Sequence, residues 1–200
     1  MALPTDKQQP DPDAEDAPRA DARRNREAVI EAALTALAAD TNASIADIAD
    51  AAGVGRTTVY RHFENRDELI VALFQRVITD AQIATAKVIE GGGSVADTLR
   101  ALGPVMIEIG ERFRFLHAHL ELGAEALAES KEIPDDPVRL FLVAAQEDGQ
   151  IRSDAPLGWV QSLMQSSAMA AMDQIDVGAL DSQTAGVLLG ETFVAALLPR

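Results

Sequence analysis

Between Arg56 and His62 every residue except Val59 carries a hydrogen-bonding side chain: Arg56, Thr57, Thr58, Tyr60, Arg61 and His62. Such a set suits a polyanion. Guanidinium forks meet phosphate oxygens or the edge of guanine, a threonine methyl meets the thymine methyl, and hydroxyls donate to phosphates. Arg66 follows closely, and Arg23, Arg24 and Arg26 form a second basic group upstream. The competing structural explanation of that upstream group is a solvated arginine cluster. For Tyr60 it is plain packing at a surface.

These side chains act together only if one short helix presents them. Val59 and Phe63 are four residues apart and supply the inward face of such a helix. Just upstream, Ser44 and Asp47 have the S-x-x-D spacing in which each side chain reaches an orphan amide of a helix start. Ile45, Ile48 and Ala49 fall on one face of that first helix. Ala52-Gly53-Val54 interrupts the period, and Gly53 suits a turn that needs a positive φ. Two short helices joined by a tight turn make a helix-turn-helix, whose second helix lies in the DNA major groove.

The run from Ala46 to Leu69 resembles the DNA-binding domain of the tetracycline-repressor (TetR-like) family. The matching features are Ile48-Ala49, Ala52-Gly53-Val54, Val59-Tyr60, His62-Phe63, and Arg66 before an acidic, leucine-bearing helix start. The resemblance covers residues 23–76. Gly55 departs from it, because the family more often caps the recognition helix with a small hydroxyl residue. Glycine serves there at a cost of about a few tenths of a kcal/mol. The resemblance implies that Thr58, Tyr60 and Arg66 hold phosphates and that Arg56, Thr57 and Arg61 reach base edges. It places His62 at the rim near phosphate, puts Ser44 in the DNA-binding group, and lays the first helix across the DNA backbone.

Composition neither excludes nor names this function. An apolar share of 48% allows a real core. The absence of cysteine excludes disulfides, thiolate metal sites and cysteine nucleophiles. The longest apolar runs are six residues, far short of the ~20 that a spanning helix needs. With no apolar signal region at the start, the expectation is a cytoplasmic protein with no membrane partner. The net charge of −15 opposes DNA binding only on average. Residues 1–21 carry two basic and six acidic side chains, residues 22–66 six of each, and residues 67–200 nine basic and twenty acidic. The acid lies mostly outside the reading head, where it repels DNA and leaves affinity to a small docked patch. Solubility alone also accounts for it.

Along the chain, residues 1–21, rich in Pro, Asp and Ala, read as a disordered acidic tail. Residues 22–66 form the DNA-binding domain, whose first helix is expected over residues 21–39. A long helix over residues 66–90, capped by Asn65 and Glu68, links it to a helical ligand-binding and dimerisation domain, residues 67–200. This helix reads as a lever between the two. Gly91-Gly92-Gly93 stops it, and Ser94 with Asp97 caps the next. There Val95, Leu99, Leu102, Met106 and Ile109 make a buried stripe that Gly103-Pro104 either kinks or breaks. Helical segments follow up to residue 130, then one from Pro137 capped by Asp136, and two more over residues 156–173 and 182–198.

By resemblance those last two helices pair with a second copy in a four-helix interface. The expected contacts are Val160, Leu163, Ser167 and Ala171 on one, and Val187, Leu188, Glu191 and Ala195 on the other. Gly186 and Gly190, four apart, permit close helix approach. Ordinary intrachain core is the competing explanation. Met106, Phe113, Phe115, Phe141, Trp159 and Met164 are candidate walls of a ligand pocket, since aromatics and methionines line adaptable sites. They also fill ordinary cores.

Enzymatic signals are weak. Residues 91–93 have no strand before them and no lysine after, so they are not a phosphate loop. No G-x-S-x-G elbow occurs. His117 and His119 face nearly opposite sides of a helix, and only His117 with Glu121 has cation-binding spacing. No cofactor and no metal are expected. The sequence therefore predicts an all-α homodimeric transcriptional regulator, not an enzyme. It is expected to be a repressor that binds a near-palindromic double-stranded operator and leaves it when a small-molecule effector binds. The alternative is a helical small-molecule-binding protein or enzyme with a non-functional reading head.

Overall fold

The computed structural model describes the backbone of residues 12–130 and 135–199, and the side chains of residues 21–116, 119–125 and 135–199. All regular structure among them is helical: α1 (Pro12–Ala39), α2 (Ile45–Ala51), α3 (Arg56–His62), α4 (Arg66–Glu90), α5 (Val95–Arg112), a 3₁₀ turn (Arg114–His119), α6 (Leu120–Ser130), α7 (Pro137–Glu147), α8 (Leu157–Asp176) and α9 (Ser182–Leu197). The chain divides into two compact units, Met1–Arg66 and Asp67–Arg200. The side chain of His117 lies outside the described residues.

In the smaller unit, α1 buries Val29, Ile30, Ala33, Leu34 and Leu37, spaced for one helical face. Ile48 and Ala49 of α2 and Val59 of α3, with Phe63 just beyond it, complete this core. Fully burying each large apolar side chain contributes about 1.5–3 kcal/mol, enough to hold two seven-residue helices that would not persist alone. One expectation needs correction. The first helix begins at Pro12 rather than residue 21.

In the larger unit, α5 packs most extensively on α9, and α8 on both. The core includes Leu99, Leu102 and Ile107 of α5, Leu142 of α7, Val160, Met164 and Met172 of α8, and Leu189, Phe193 and Leu197 of α9. The expected cap of α5 is present: the Ser44-type box recurs, with Ser94 Oγ accepting the Asp97 amide and Asp97 accepting the Ser94 amide. Pro104 neither ends α5 nor splits it. The carbonyl that proline leaves without its helical amide is that of Arg100. It lies 2.4 Å from where a Cβ on Gly190 would be, and a Cβ on Gly103 would meet Gly186 O and Gly190 N at the same distance. The glycine pair of α9 therefore serves a backbone-close crossing within the chain. Helix α4 has the length and hydropathy of a membrane span. Its middle, however, carries an ion pair between Arg76 and Asp80 at 2.8 Å, and its first half buries Leu69, Ile70, Leu73 and Phe74 in the protein.

Candidate nucleic-acid interface and ligand cavity

The turn between α2 and α3 is built as its residues require. Ser44 Oγ accepts the Asp47 amide at 3.3 Å, and the Ser44 amide donates to Asp47 Oδ2 at 2.8 Å. The Ser44 hydroxyl, then its amide, hold the Asp47 carboxyl below its ordinary range. At the other end Gly53 takes φ +65°. Its amide donates to Asp50 O, and that of Val54 to Ala49 O, the paired bonds of a Schellman stop. Gly55 then caps α3 without a side-chain bond.

Helix α3 presents Arg56, Thr57, Tyr60 and Arg61 to solvent as one continuous face, with Tyr60 52% exposed. Thr58 and His62 lie on its flanks, and Val59 is wholly buried. Thr57, Thr58, Tyr60 and Arg61 also line a shallow surface groove. On α1, Arg23 is exposed, Arg24 pairs with Asp21, and the Arg26 guanidinium stacks 5.0 Å from the Phe63 ring centroid. Arg26 is thereby tied to the end of α3.

Two residues expected at DNA have other partners, and a third is partly withdrawn from solvent. Arg66 donates to the carbonyls of Ala43 and Thr41 and pins the loop before α2. Ser44 has its hydroxyl engaged in the cap, donating to Asp47 Oδ2 at 2.6 Å. His62 is half-buried, and its Nε2 is buried without a hydrogen-bond partner. Burial first, then the charges of Arg61 and Arg26, push its pKa below the ordinary 6.5.

The larger unit holds a cavity of about 230 Å³ between α4, α5, α7 and α8. Met106 and Met164 line it. The four aromatic candidates do not. Phe115 is buried elsewhere, and Phe141 packs on the core. Phe113 lines a separate groove between α4 and α5, beneath the Arg112 guanidinium at 5.1 Å. Trp159 is 50% exposed, with Arg152 over its ring at 5.8 Å. Sequence reasoning missed Gln82, Thr85, Asp136, Gln161 and Gln165, which also line the cavity. The signal was there: Gln161 and Gln165 sit one turn apart beside the apolar stripe of α8.

The expected contacts with a second copy divide. Val160 is wholly buried within the chain, and Leu163 and Ala171 pack on the same core, so this side of α8 faces inward. Ser167 is half-buried. Val187, Leu188, Glu191 and Ala195 are exposed on α9, although Glu191 accepts a bond from Arg100 of its own chain at 2.7 Å. The exposed apolar residues of α8 are instead Trp159 and Met169, with Val177 just after it.

Residues 29–73 match the family described as bacterial regulatory proteins, tetR family. The chain is 31% identical over 175 residues to the HTH-type transcriptional repressor LfrR of Mycolicibacterium smegmatis, covering 82% of this chain and 91% of that protein. Among solved structures it resembles LfrR in complex with proflavine at a TM-score of 0.65, over 88% of this chain and 99% of that one. Identity is 24% over the residues paired in space there, below the value of the sequence comparison. A TetR family regulator from Marinobacter aquaeolei superposes at a TM-score of 0.68 with 21% identity, over 92% of this chain and 100% of that one.

Proposed function

The chain belongs to the TetR family of bacterial regulatory proteins, and from this we propose that it is a homodimeric repressor released from its operator by a small molecule. The outward face of α3 carries this reading, since Arg56, Thr57, Tyr60 and Arg61 are all exposed there and aligned. Arg56, Thr57 and Arg61 read base edges, and Thr58 and Tyr60 hold phosphates. Arg66 acts as a positioning residue for the loop before α2. A reading head that had lost its function would have no reason to present so full a polar face, which disfavours the ligand-binding or enzymatic alternative. The role is regulatory and non-catalytic, in the cytoplasm with the DNA.

Release follows from linkage. A ligand that binds the DNA-incompetent dimer better shifts the population, and a coupling of about 1–3 kcal/mol changes operator affinity roughly 5–150-fold. Helix α4 starts at Arg66, where the smaller unit ends, and its residues Val77, Ile78, Ala81, Gln82 and Thr85 line the cavity. The relative LfrR was solved with proflavine, which supports a small-molecule effector for this chain.

The test is selection of bound fragments from the source genome, followed by anisotropy on the best fragment. A near-palindromic site bound by a dimer supports the reading. No enriched site, in folded dimeric protein, would overturn it.

A further inference from the structure

The cavity of the larger unit has a one-sided chemistry. Val77, Ile78, Ala81, Met106 and Ile109 make its α4 and α5 walls apolar. Its polar groups are the Asp136 carboxylate, the Thr85 hydroxyl and the carboxamides of Gln82, Gln161 and Gln165. Asp136 is the one carboxylate on its described wall, and no lysine, arginine or histidine lines it among the described residues. Asp136 Oδ1 accepts the Arg139 amide at 2.8 Å, as the cap of α7. Its Oδ2 accepts a long bond from Gln82 Nε2 at 3.4 Å. An ionised carboxylate offers about four lone-pair sites, so acceptor capacity remains. Gln161 Oε1 is buried with no hydrogen-bond partner. An acceptor withdrawn from water costs free energy until a donor reaches it. The Thr85 hydroxyl donates to Ala81 O at 2.8 Å and has no proton to offer a ligand.

An anion entering this cavity would meet a like charge and a buried lone pair, with no cation among the described lining residues to offset them. A compact apolar cation meets the reverse. We infer that the effector is a small aromatic or alicyclic ammonium. Its N–H donates to Gln161 Oε1, its charge is balanced by Asp136, and its apolar body lies against Met106 and Ile109. At about 230 Å³ the cavity is small for a ligand site and favours one or two rings over an extended amphiphile. This inference rests on the proposed ligand-released repressor and names the chemical class of its effector.

The test uses the full-length chain and two ring-matched probes, 1-naphthylmethylammonium and 1-naphthoate. Binding is followed by naphthalene fluorescence, and release by anisotropy of the selected operator. The ammonium is expected to bind at least roughly ten-fold tighter than the carboxylate and to dissociate the operator complex. Asp136→Asn keeps the cap of α7, since asparagine caps as well as aspartate. It should reduce the preference to about two-fold or less and abolish release, which also excludes an effect of the probe on the DNA. Gln161→Leu should weaken the ammonium more than the carboxylate. Equal or tighter binding of the carboxylate, or a preference that survives Asp136→Asn, would overturn the inference. If the carboxylate also released the operator, the repressor reading would stand without it. Failure of both probes to bind would overturn the inference too, and a bound operator that responded to no small molecule would remove the repressor reading with it.

Discussion

Tyr60 and Arg61 stand on the exposed face of α3, away from the core that Val59 and Phe63 build. Tyr60→Ala with Arg61→Ala should therefore leave thermal stability within about 0.5 kcal/mol of the parent and abolish operator binding in anisotropy. Unchanged binding would sink the site assignment. Arg66 should behave in the opposite way. Its guanidinium holds two loop carbonyls, so Arg66→Ala should cost roughly 1–3 kcal/mol of stability. An unaltered melting curve with a shallower salt slope would return it to the phosphates. His62 carries a pH dependence whose sign follows from its depressed pKa. The unfolded chain binds the proton more readily than the native state. Its contribution is thus complete above the ordinary 6.5 and is lost as pH falls from there towards the folded value. Chemical denaturation between pH 7.5 and 5, with His62→Gln for comparison, should show this fraction of the slope disappearing. These residue types were legible in the sequence. Which of them point outward was not, because Arg66 and His62 have side chains that suit either a phosphate or a backbone carbonyl.

At the scale of elements, the local chemistry of ends and turns was almost wholly legible. Ser44-x-x-Asp47, Ser94-x-x-Asp97, Asp136-Pro137 and Gly53 each cap or stop a helix as their side chains and φ demand. These are interactions within about four residues, so no distant partner is needed to predict them. Pro104 was ambiguous for the converse reason. Its tolerance depends on α9, whose Gly190 leaves room for the Arg100 carbonyl. A Cβ at Gly190 would collide with backbone on α5. Gly190→Ala should therefore destabilise the larger unit by about 1–3 kcal/mol, despite alanine's better helix propensity. A raised melting temperature would show that the crossing has room to spare.

For the whole molecule, charge and symmetry set the behaviour. Net −11 over residues 67–200 against net 0 over residues 22–66 leaves DNA affinity to the reading heads. If two heads together engage roughly 6–10 phosphates, affinity should fall about 10³–10⁵-fold between 50 and 200 mM salt. A shallow slope would argue against two engaged heads. Sedimentation tests the α9 face: Val187→Asp with Leu188→Asp should yield folded monomer, since both side chains are exposed in the single chain at 56% and 50%. Val160→Ala should instead lower stability by roughly 0.5–3 kcal/mol and leave the dimer intact, because Val160 is fully buried within its own chain.

By itself the sequence determined the helical class, the helix-turn-helix and its polar face, the caps, and the uneven charge. All of these are set by residue type, short-range spacing or summation along the chain. Only the tertiary structure decided which side of α8 faces inward, what the glycines of α9 touch, and which side chains surround the cavity. The physical reason is periodicity. A helix advances about 100° per residue, so the way it is rolled decides whether Val160 or Trp159 reaches a surface, and packing between distant segments sets that roll. The cavity followed the same rule. Its polar residues, Gln82, Asp136 and Gln161, lie far apart in sequence and share a wall only once α4, α7 and α8 are packed together.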